Sequence, residues 1–530
     1  MNKKSYKELF LQKFKEIEHI CTFKDFFEWI KNNDQNHILF EYGNFSCSCK
    51  YFSQKVNSVC LFLKEKLKDV KKGSWIGMKL PNHPYYIITL FALLKNHFNV
   101  LFIDNNISES NYNKVVKQSG ISAVVTDKII AKENIFYISF NEIINVKNYY
   151  EAENLNFFAD KLALCSSGTE GNVKISVYDD KNFLELIKKT IRGFSYTFPK
   201  NMFTQNLNKV VIAPPFFHLF GIGSIFVYIL LNITIVINES NALSCFLKNA
   251  KKDGVQIVLH VPMILDALLQ FIKGKYNNLT IDNFKKIFGK NVKIFIGAGI
   301  GATGKVKKIL KEYGIYYIDC YGTTESGIVS INGMLCKAPS FKIEVYKNGN
   351  FFNQGYGELI VYGKGIRIGI LENGIEIDKL NILKENCIKT GDLVEIKRNK
   401  IYVKGRTNDI IISSNGENIV PNQIEEYFYF LKNYDCKYTV FGINDIPIMV
   451  VFMKKMYWNI SYKEVLIKKI SQKNGELKLN ERISTLYFTL MPIPFTGSFK
   501  IKKNVIKEQI KNNQQKFEKV ILIRRKIHDT

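Results

Sequence analysis

The sequence has no second cysteine cluster that could complete a metal site. Its ten cysteines are scattered and Cys47 and Cys49 form the one close pair, so spacing excludes a cysteine-rich zinc module. Scattered thiols point instead to a reducing, cytoplasmic compartment. No apolar leader is evident either: Met1-Asn2-Lys3-Lys4 runs into Tyr6, Glu8 and Phe10 at helical spacing, so no signal peptide is expected. The one candidate membrane span, Phe220 to Ile237, contains Gly221, Gly223, Ser224, Asn232 and Thr234 and lacks tryptophan or paired basic flanks. It reads as a buried helix followed by a buried strand, and no transmembrane segment is expected. Acids are few beside bases, 48 against 75, for a formal net charge of +27. A field of that sign attracts polyanions. The lysines, however, are spread along the whole chain without a recognised nucleic-acid module, which predicts a solvated basic surface and no specific nucleic-acid partner.

With 46% hydrophobic residues in 530, the chain can bury more than one core. From Phe45 to Asp127, β-rich runs alternate with helical patterns: Ser74 to Leu80, then helical Tyr85 to Lys95, then Val100 to Ile103 and Ala123 to Thr126. The pattern resumes at Lys209 to Ala213, Gln256 to His260 and Lys293 to Ile296. Such alternation predicts a large layered α/β domain with much parallel sheet. After Gly355 come short alternating strands, Glu358 to Tyr362, Leu393 to Ile396 and Ile401 to Val403, which read as a small antiparallel β region. A break near Lys404-Gly405-Arg406-Thr407-Asn408 then sets off a compact α+β segment, giving domains 1–404 and 405–530.

Two glycine clusters carry chemistry. Ser166-Ser167-Gly168-Thr169-Glu170-Gly171-Asn172-Val173-Lys174 follows the apolar run Leu162 to Cys165. Glycines let backbone N–H groups face an anion, hydroxyls add donors and a lysine adds charge, as in a phosphate-holding loop; a hydroxyl-rich turn is the plainer alternative. The second cluster, Gly297-Ala298-Gly299-Ile300-Gly301-Ala302-Thr303-Gly304-Lys305, follows a strand and precedes a basic helix. Gly299, Gly301 and Gly304 fit dinucleotide spacing, and Asp319 stands about 20 residues on, as a ribose-binding acid would. Val306 stands where a G-x-x-x-x-G-K loop needs Ser or Thr for magnesium. Taken alone, this region suggests a nicotinamide enzyme.

The continuation overturns that reading. Tyr321-Gly322-Thr323-Thr324-Glu325-Ser326, Thr390-Gly391-Asp392-Leu393 and Gly405-Arg406-Thr407-Asn408-Asp409 occur in order with Leu80-Pro81-Asn82, Pro215-Phe216-Phe217-His218-Leu219-Phe220-Gly221, Gly355-Tyr356-Gly357-Glu358-Leu359, Asn415-Gly416-Glu417-Asn418 and Pro494-Phe495-Thr496-Gly497-Ser498-Phe499-Lys500. Over nearly its whole length the chain resembles the acyl-adenylate-forming superfamily of acyl-CoA synthetases, nonribosomal peptide synthetase adenylation domains and luciferases, and in motif it is most similar to the acyl-CoA synthetases.

That resemblance implies ATP-dependent activation of a carboxylic acid to an acyl adenylate and transfer to a thiol, of coenzyme A or of a carrier-protein phosphopantetheine. A nucleotide-binding relative without activity is the remaining alternative. By the family's pattern, Ser166, Ser167, Gly168, Thr169, Gly171 and Lys174 embrace the β- and γ-phosphates, Thr324 contacts the α-phosphate and Glu325 holds Mg2+. Gly297, Ala298 and Gly299 cover one face of adenine and Tyr321, with Gly322 and Thr323 following it, the other. Asp319 accepts from the adenine amino group, and Asp392 takes the ribose hydroxyls with Arg406 assisting. Lys500 is the catalytic lysine on a mobile C-terminal lid, whose Gly416 loop serves the thiol step. Lys502 and Lys503 are expected to be solvated. His218 replaces the aspartate that pairs with an α-ammonium in amino-acid-activating relatives, which implies a fatty or aryl acid; His218 lies near the acyl entrance or is a structural histidine. Glu170 in the phosphate loop, Val173 for the usual proline, Phe499 for the glycine before Lys500 and Asn408 at the hinge depart from the family pattern without removing a required charge.

Overall fold

The computed structural model describes residues 6–523 except 130–133, 148–157, 168–172, 198–206, 241, 261–263, 266–279, 299–303, 337, 339–340, 378–386, 413–417, 435, 496–500 and 513. The chain forms two compact units, one of residues 1–166, 172–343 and 361–388, the other of residues 167–171, 344–360 and 389–530.

The larger unit is built on two mainly parallel sheets. In one, the strands run in the order 375–377, 369–372, 173–179, 161–167, 99–102, 75–79, 123–126, 136–139. The pairs 75–79 with 99–102, 75–79 with 123–126 and 99–102 with 161–167 are parallel. In the other, 316–323, 294–298, 255–260, 209–212, 234–237 and 38–42 lie side by side, again parallel. Period-two alternation assigns the two faces of each strand to different cores. Ile76, Met78, Val100 and Phe102 of the first sheet and Val210, Ile212, Ile235 and Ile257 of the second share one apolar layer with the helical residues Phe52, Phe91, Phe183 and Phe226. The opposite face of the second sheet, Val211, Val236, Val258 and Phe295, packs on Phe246, Phe284 and Phe288. That of the first, Leu101, Val124, Ala163 and Ile175, packs on Tyr112 and Val115. The result is helix, sheet, helix, sheet, helix, with each buried Val, Ile or Phe contributing about 1.5–3 kcal/mol.

The apolar stretch Phe220 to Ile237 forms helix Leu219–Leu230, buried over most of its length, and the buried strand Thr234–Ile237. Asn232, at φ 57°, turns the chain between them. Among the described residues no helix is long and apolar enough to cross a membrane. None of the ten cysteines forms a disulfide.

Strands 350–352, 341–347, 355–363, 387–397 and 400–406, most of whose residues belong to the smaller unit, are neighbours in that order, the last pair antiparallel. The expected antiparallel region thus begins earlier, at Phe341. Beyond the turn Thr407–Asp409 lies a four-stranded sheet ordered 437–443, 446–452, 485–489, 518–521. Val440, Met449, Val451 and Leu486 face helices Pro421–Tyr427 and Ile460–Gly475, while Phe441, Ile448, Val450 and Phe452 face Lys503–Asn512.

Helix Pro84–Lys95, which follows the Leu80-Pro81-Asn82 segment, is capped by His83, whose Nδ1 accepts the Tyr85 N–H at 3.1 Å. Tyr42 and Phe140 enclose the ring, and burial lowers its pKa to about 4. A neutral imidazole is therefore built into the native state, and the unfolded chain takes up a proton first as pH falls. The stability this group contributes is complete above about pH 6.5 and lost as pH falls towards 4. His83→Asn keeps a capping side chain without the titration, and should flatten the fall in melting temperature between pH 6.5 and 4 relative to wild type.

Candidate active site

Three adjacent parallel strands of the larger unit place His260, Gly297 and Asp319 in register. Strands 209–212, 255–260 and 294–298 run the same way, so their carboxyl ends lie at one end of the sheet. Loops at the carboxyl ends of parallel strands are where this architecture binds ligands. A Cβ at Gly297 would come within 2.2 Å of Tyr317 Oη, so any side chain there would require the Tyr317 ring to shift. Asp319 is half-buried; its Oδ2 pairs with Lys307 Nζ at 3.0 Å, and its backbone N–H donates to Asn332 Oδ1 at 2.9 Å. Ala298 ends strand Ile294–Ala298; Gly299 lies outside the described residues.

Strand Tyr316–Thr323 turns through Thr324, Glu325 and Ser326 into the antiparallel strand Gly327–Ile331. The turn is tight. A Cβ on Gly322 would sit 2.1 Å from the Gly327 carbonyl oxygen, and Gly327 itself has φ 64° with Leu186 where a Cβ would go. Tyr321, Gly322 and Thr323 thus reach the turn on one strand with Asp319. Thr323 Oγ1 and Ser326 Oγ are 3.0 Å apart, and the Ser326 N–H donates to Thr323 Oγ1 at 3.2 Å, closing the turn with hydroxyls. Ser166 and Lys174 face each other at the base of the hairpin formed by strands 161–167 and 173–179, with Ser166 Oγ 3.5 Å from the Lys174 carbonyl. Ser167 is the last residue of its strand; Gly168, Thr169 and Gly171 lie outside the described residues.

His218 is the N-cap of helix Leu219–Leu230, its ring centroid 4.4 Å from that of Phe217. The Pro215 to Gly221 loop is folded so closely that a Cβ on Gly221 would meet the Pro215 carbonyl oxygen at 2.0 Å. Asn82 clamps it: Nδ2 donates to the Pro214 carbonyl at 3.1 Å and Oδ1 accepts the Phe216 N–H at 2.9 Å. The sequence marked Asn82 only as part of a motif. A planar amide satisfying one donor and one acceptor of the same loop is a three-dimensional fact.

In the smaller unit Asp392 and Arg406 are register partners across the hairpin, and Arg406 Nε meets Asp392 Oδ1 at 2.9 Å. Gly391 has φ 72°; the Asp392 N–H donates to Thr390 Oγ1 at 3.1 Å, and Thr407 Oγ1 donates to the Gly391 carbonyl at 3.1 Å. Gly416 and Lys500 lie outside the described residues. Both ends of the Lys500 segment are described. Phe495 and Ile501 form an antiparallel bridge, and the Lys502 N–H donates to the Pro494 carbonyl at 2.8 Å. Lys503, expected to be solvated, is instead largely covered and pairs with Glu425 at 3.4 Å, because the helix it opens packs its first turn against the sheet.

A chain with this fold and these motifs is an adenylate-forming enzyme by class. The AMP-binding enzyme family model matches residues 26–347, more than half of the sequence, and the chain belongs to that family. It is 23% identical over 467 residues to a 2-succinylbenzoate–CoA ligase of Listeria innocua, covering 84% of this chain and 91% of the relative. To a long-chain-fatty-acid–CoA ligase of Haemophilus influenzae it is 21% identical over 436 residues, covering 70% and 75%. Among solved structures, o-succinylbenzoate CoA synthetase of Bacillus subtilis in complex with its acyl-adenylate intermediate superposes with a TM-score of 0.74 at 18% identity, covering 91% of this chain and 97% of that one. The same enzyme with ATP and magnesium ion gives 0.73.

Asn82→Ala should lower unfolding free energy by about 1–3 kcal/mol in a denaturant titration, since it orphans a carbonyl and an N–H together. Gly221→Ala should cost more than a usual surface substitution, because the blocking atom is backbone and cannot rotate aside.

Proposed function

We propose that this chain is an AMP-forming acid–thiol ligase that activates a fatty or aryl carboxylic acid with ATP and passes the acyl group to coenzyme A. The observation that carries this reading is the register of Gly297 with Asp319 beside the closed turn bearing Thr324 and Glu325, in a chain of the AMP-binding enzyme family. In the first step a carboxylate oxygen attacks the α-phosphorus and the bond to pyrophosphate breaks. In the second a thiolate attacks the acyl carbon and AMP leaves.

In this reading Gly297, Ala298, Asp319 and Tyr321 hold adenine, Thr324 meets the α-phosphate, and Ser166 to Lys174 hold the outer phosphates. Asp392 with Arg406 takes the ribose, and Lys500, in a lid domain of residues 405–530, neutralises charge at the α-phosphate during attack. Glu325 suits a hard cation. Glu325 would hold a Mg2+ by its one carboxylate, a hard oxygen donor of the kind that ion takes. Such an ion would offset charge on the triphosphate. His218 among Phe216, Phe217 and Phe220 offers no fixed anion for an α-ammonium, which supports an acid without one. The names of the relatives, CoA ligases for an aryl and a fatty acid, favour coenzyme A over a carrier-protein phosphopantetheine. Ten cysteines without a disulfide support a cytoplasmic setting.

ATP–pyrophosphate exchange across a panel of fatty, aryl and amino acids should respond to a fatty or aryl acid and drop at least about 100-fold in Lys500→Ala. Exchange with amino acids alone would refute the substrate class, and silence across the panel would favour a nucleotide-binding relative without activity. Thioester formation with free coenzyme A, compared with a phosphopantetheinylated carrier protein, decides the acceptor.

A further inference from the structure

Three consecutive carbonyls of the Thr324-Glu325-Ser326 turn are held by three different elements. The Tyr178 hydroxyl, from strand Val173–Asp179, donates to the Thr324 carbonyl at 2.8 Å. The backbone N–H of Arg367 donates to that of Glu325 at 2.9 Å. Lys189 Nζ, from helix Asp180–Thr197, donates to that of Ser326 at 3.1 Å. Both side chains are buried, Tyr178 fully and Lys189 to 2% exposure.

Lys189 stands where a packing residue would be expected. Leu186, Lys189 and Gly193 form one stripe of the helix at spacings of three and four, and all three meet the same hairpin. Leu186 fills the space beside Gly327, and Gly193 lies so close that a Cβ would meet Ile331 at 2.8 Å and Cys336 Sγ at 2.9 Å. The Lys189 ammonium sits 3.3 Å from the centroid of the Phe341 ring. Glu185 on its own helix and Cys336 beyond the hairpin are the ionisable groups that act on it, and burial lowers its pKa to about 7. A buried amine is costly unless bonded, and a methionine would fill the volume without that cost. What the lysine adds is a strong donor to a backbone carbonyl.

We propose that Lys189 and Tyr178 are positioning residues for nucleotide binding, fixing the backbone of Thr324 and Glu325 from behind so that these two residues meet the phosphates and cation of MgATP in one geometry. The inference rests on the proposed roles of Thr324 and Glu325. Neither Lys189 nor Tyr178 touches the nucleotide; each acts through a carbonyl of the turn. Tyr178 ties the peptide plane between Thr324 and Glu325 and Lys189 that between Ser326 and Gly327, so the backbone carrying both side chains is held at each end of the turn.

The test is calorimetric titration of the full chain, wild type and the variants Lys189→Met and Tyr178→Phe, with MgATP and separately with adenosine, beside melting temperatures. Met preserves length and apolar packing while removing the donor, and Phe removes one hydroxyl. The expected result is a rise of about tenfold in the Kd of MgATP in each variant, with the Kd of adenosine within about twofold and a melting temperature lowered by only a few degrees, since each variant orphans one carbonyl. Wild-type affinity for MgATP in both variants overturns the proposal. So does equal weakening of adenosine and MgATP, which would mark a merely structural role. Wild-type protein that binds no MgATP removes the proposed function together with this inference.

Discussion

One apolar layer buried between two parallel sheets is the constraint on which the larger unit depends. A parallel sheet has both faces covered, so its strands are apolar on both sides and its polar chemistry is driven to the strand ends. Val210, Ile212, Ile235 and Ile257 face the shared layer while Val211, Val236 and Val258 face the outer one, which leaves little room for a polar side chain along these strands. His260, Gly297 and Asp319 occur where the strands run out or the sheet changes to antiparallel. The candidate site is a consequence of that packing.

The same constraint makes the turn at Thr324 costly to build. It sits against helix Asp180–Thr197 so closely that a Cβ on Gly193 would meet Ile331 and one on Gly327 would meet Leu186, while Gly322 is closed off by the Gly327 carbonyl of the turn itself. Each of its carbonyls takes an internal donor: a tyrosine hydroxyl, a backbone N–H and an ammonium. The loop before His218 meets the same demand through the Asn82 amide. Loops near a ligand are often free to move. These two are fastened by side chains that bond directly to their backbone groups.

Legibility in the sequence followed the range of the interaction. Strand runs such as Ala123 to Thr126, the helix and strand within Phe220 to Ile237 and the antiparallel strands around Leu393 and Ile401 appear where periodicity placed them, because burial imposes a period on neighbouring residues. The ordered motifs identified the family, and glycine spacing alone pointed at a nicotinamide enzyme until Tyr321 to Ser326 was read with it. A lysine in a basic run is expected in solvent, and Lys503 departs from that because its partner Glu425 is 78 positions away in the chain. Lys189 left a faint mark, a cation on the apolar stripe of its helix, with nothing to say which carbonyl it would meet.

By itself the sequence determined the composition of the cores, the order of the motifs and the family, since these depend on residue type and on spacing within a few turns of chain. Tertiary structure alone decided which groups satisfy one another: Tyr178 with Thr324, Lys189 with Ser326, Asn82 with Pro214 and Phe216, Asp392 with Arg406. The reason is that an orphaned buried polar group can be satisfied by any donor or acceptor that packing brings within about 3 Å. Distance in space is not written in distance along the chain.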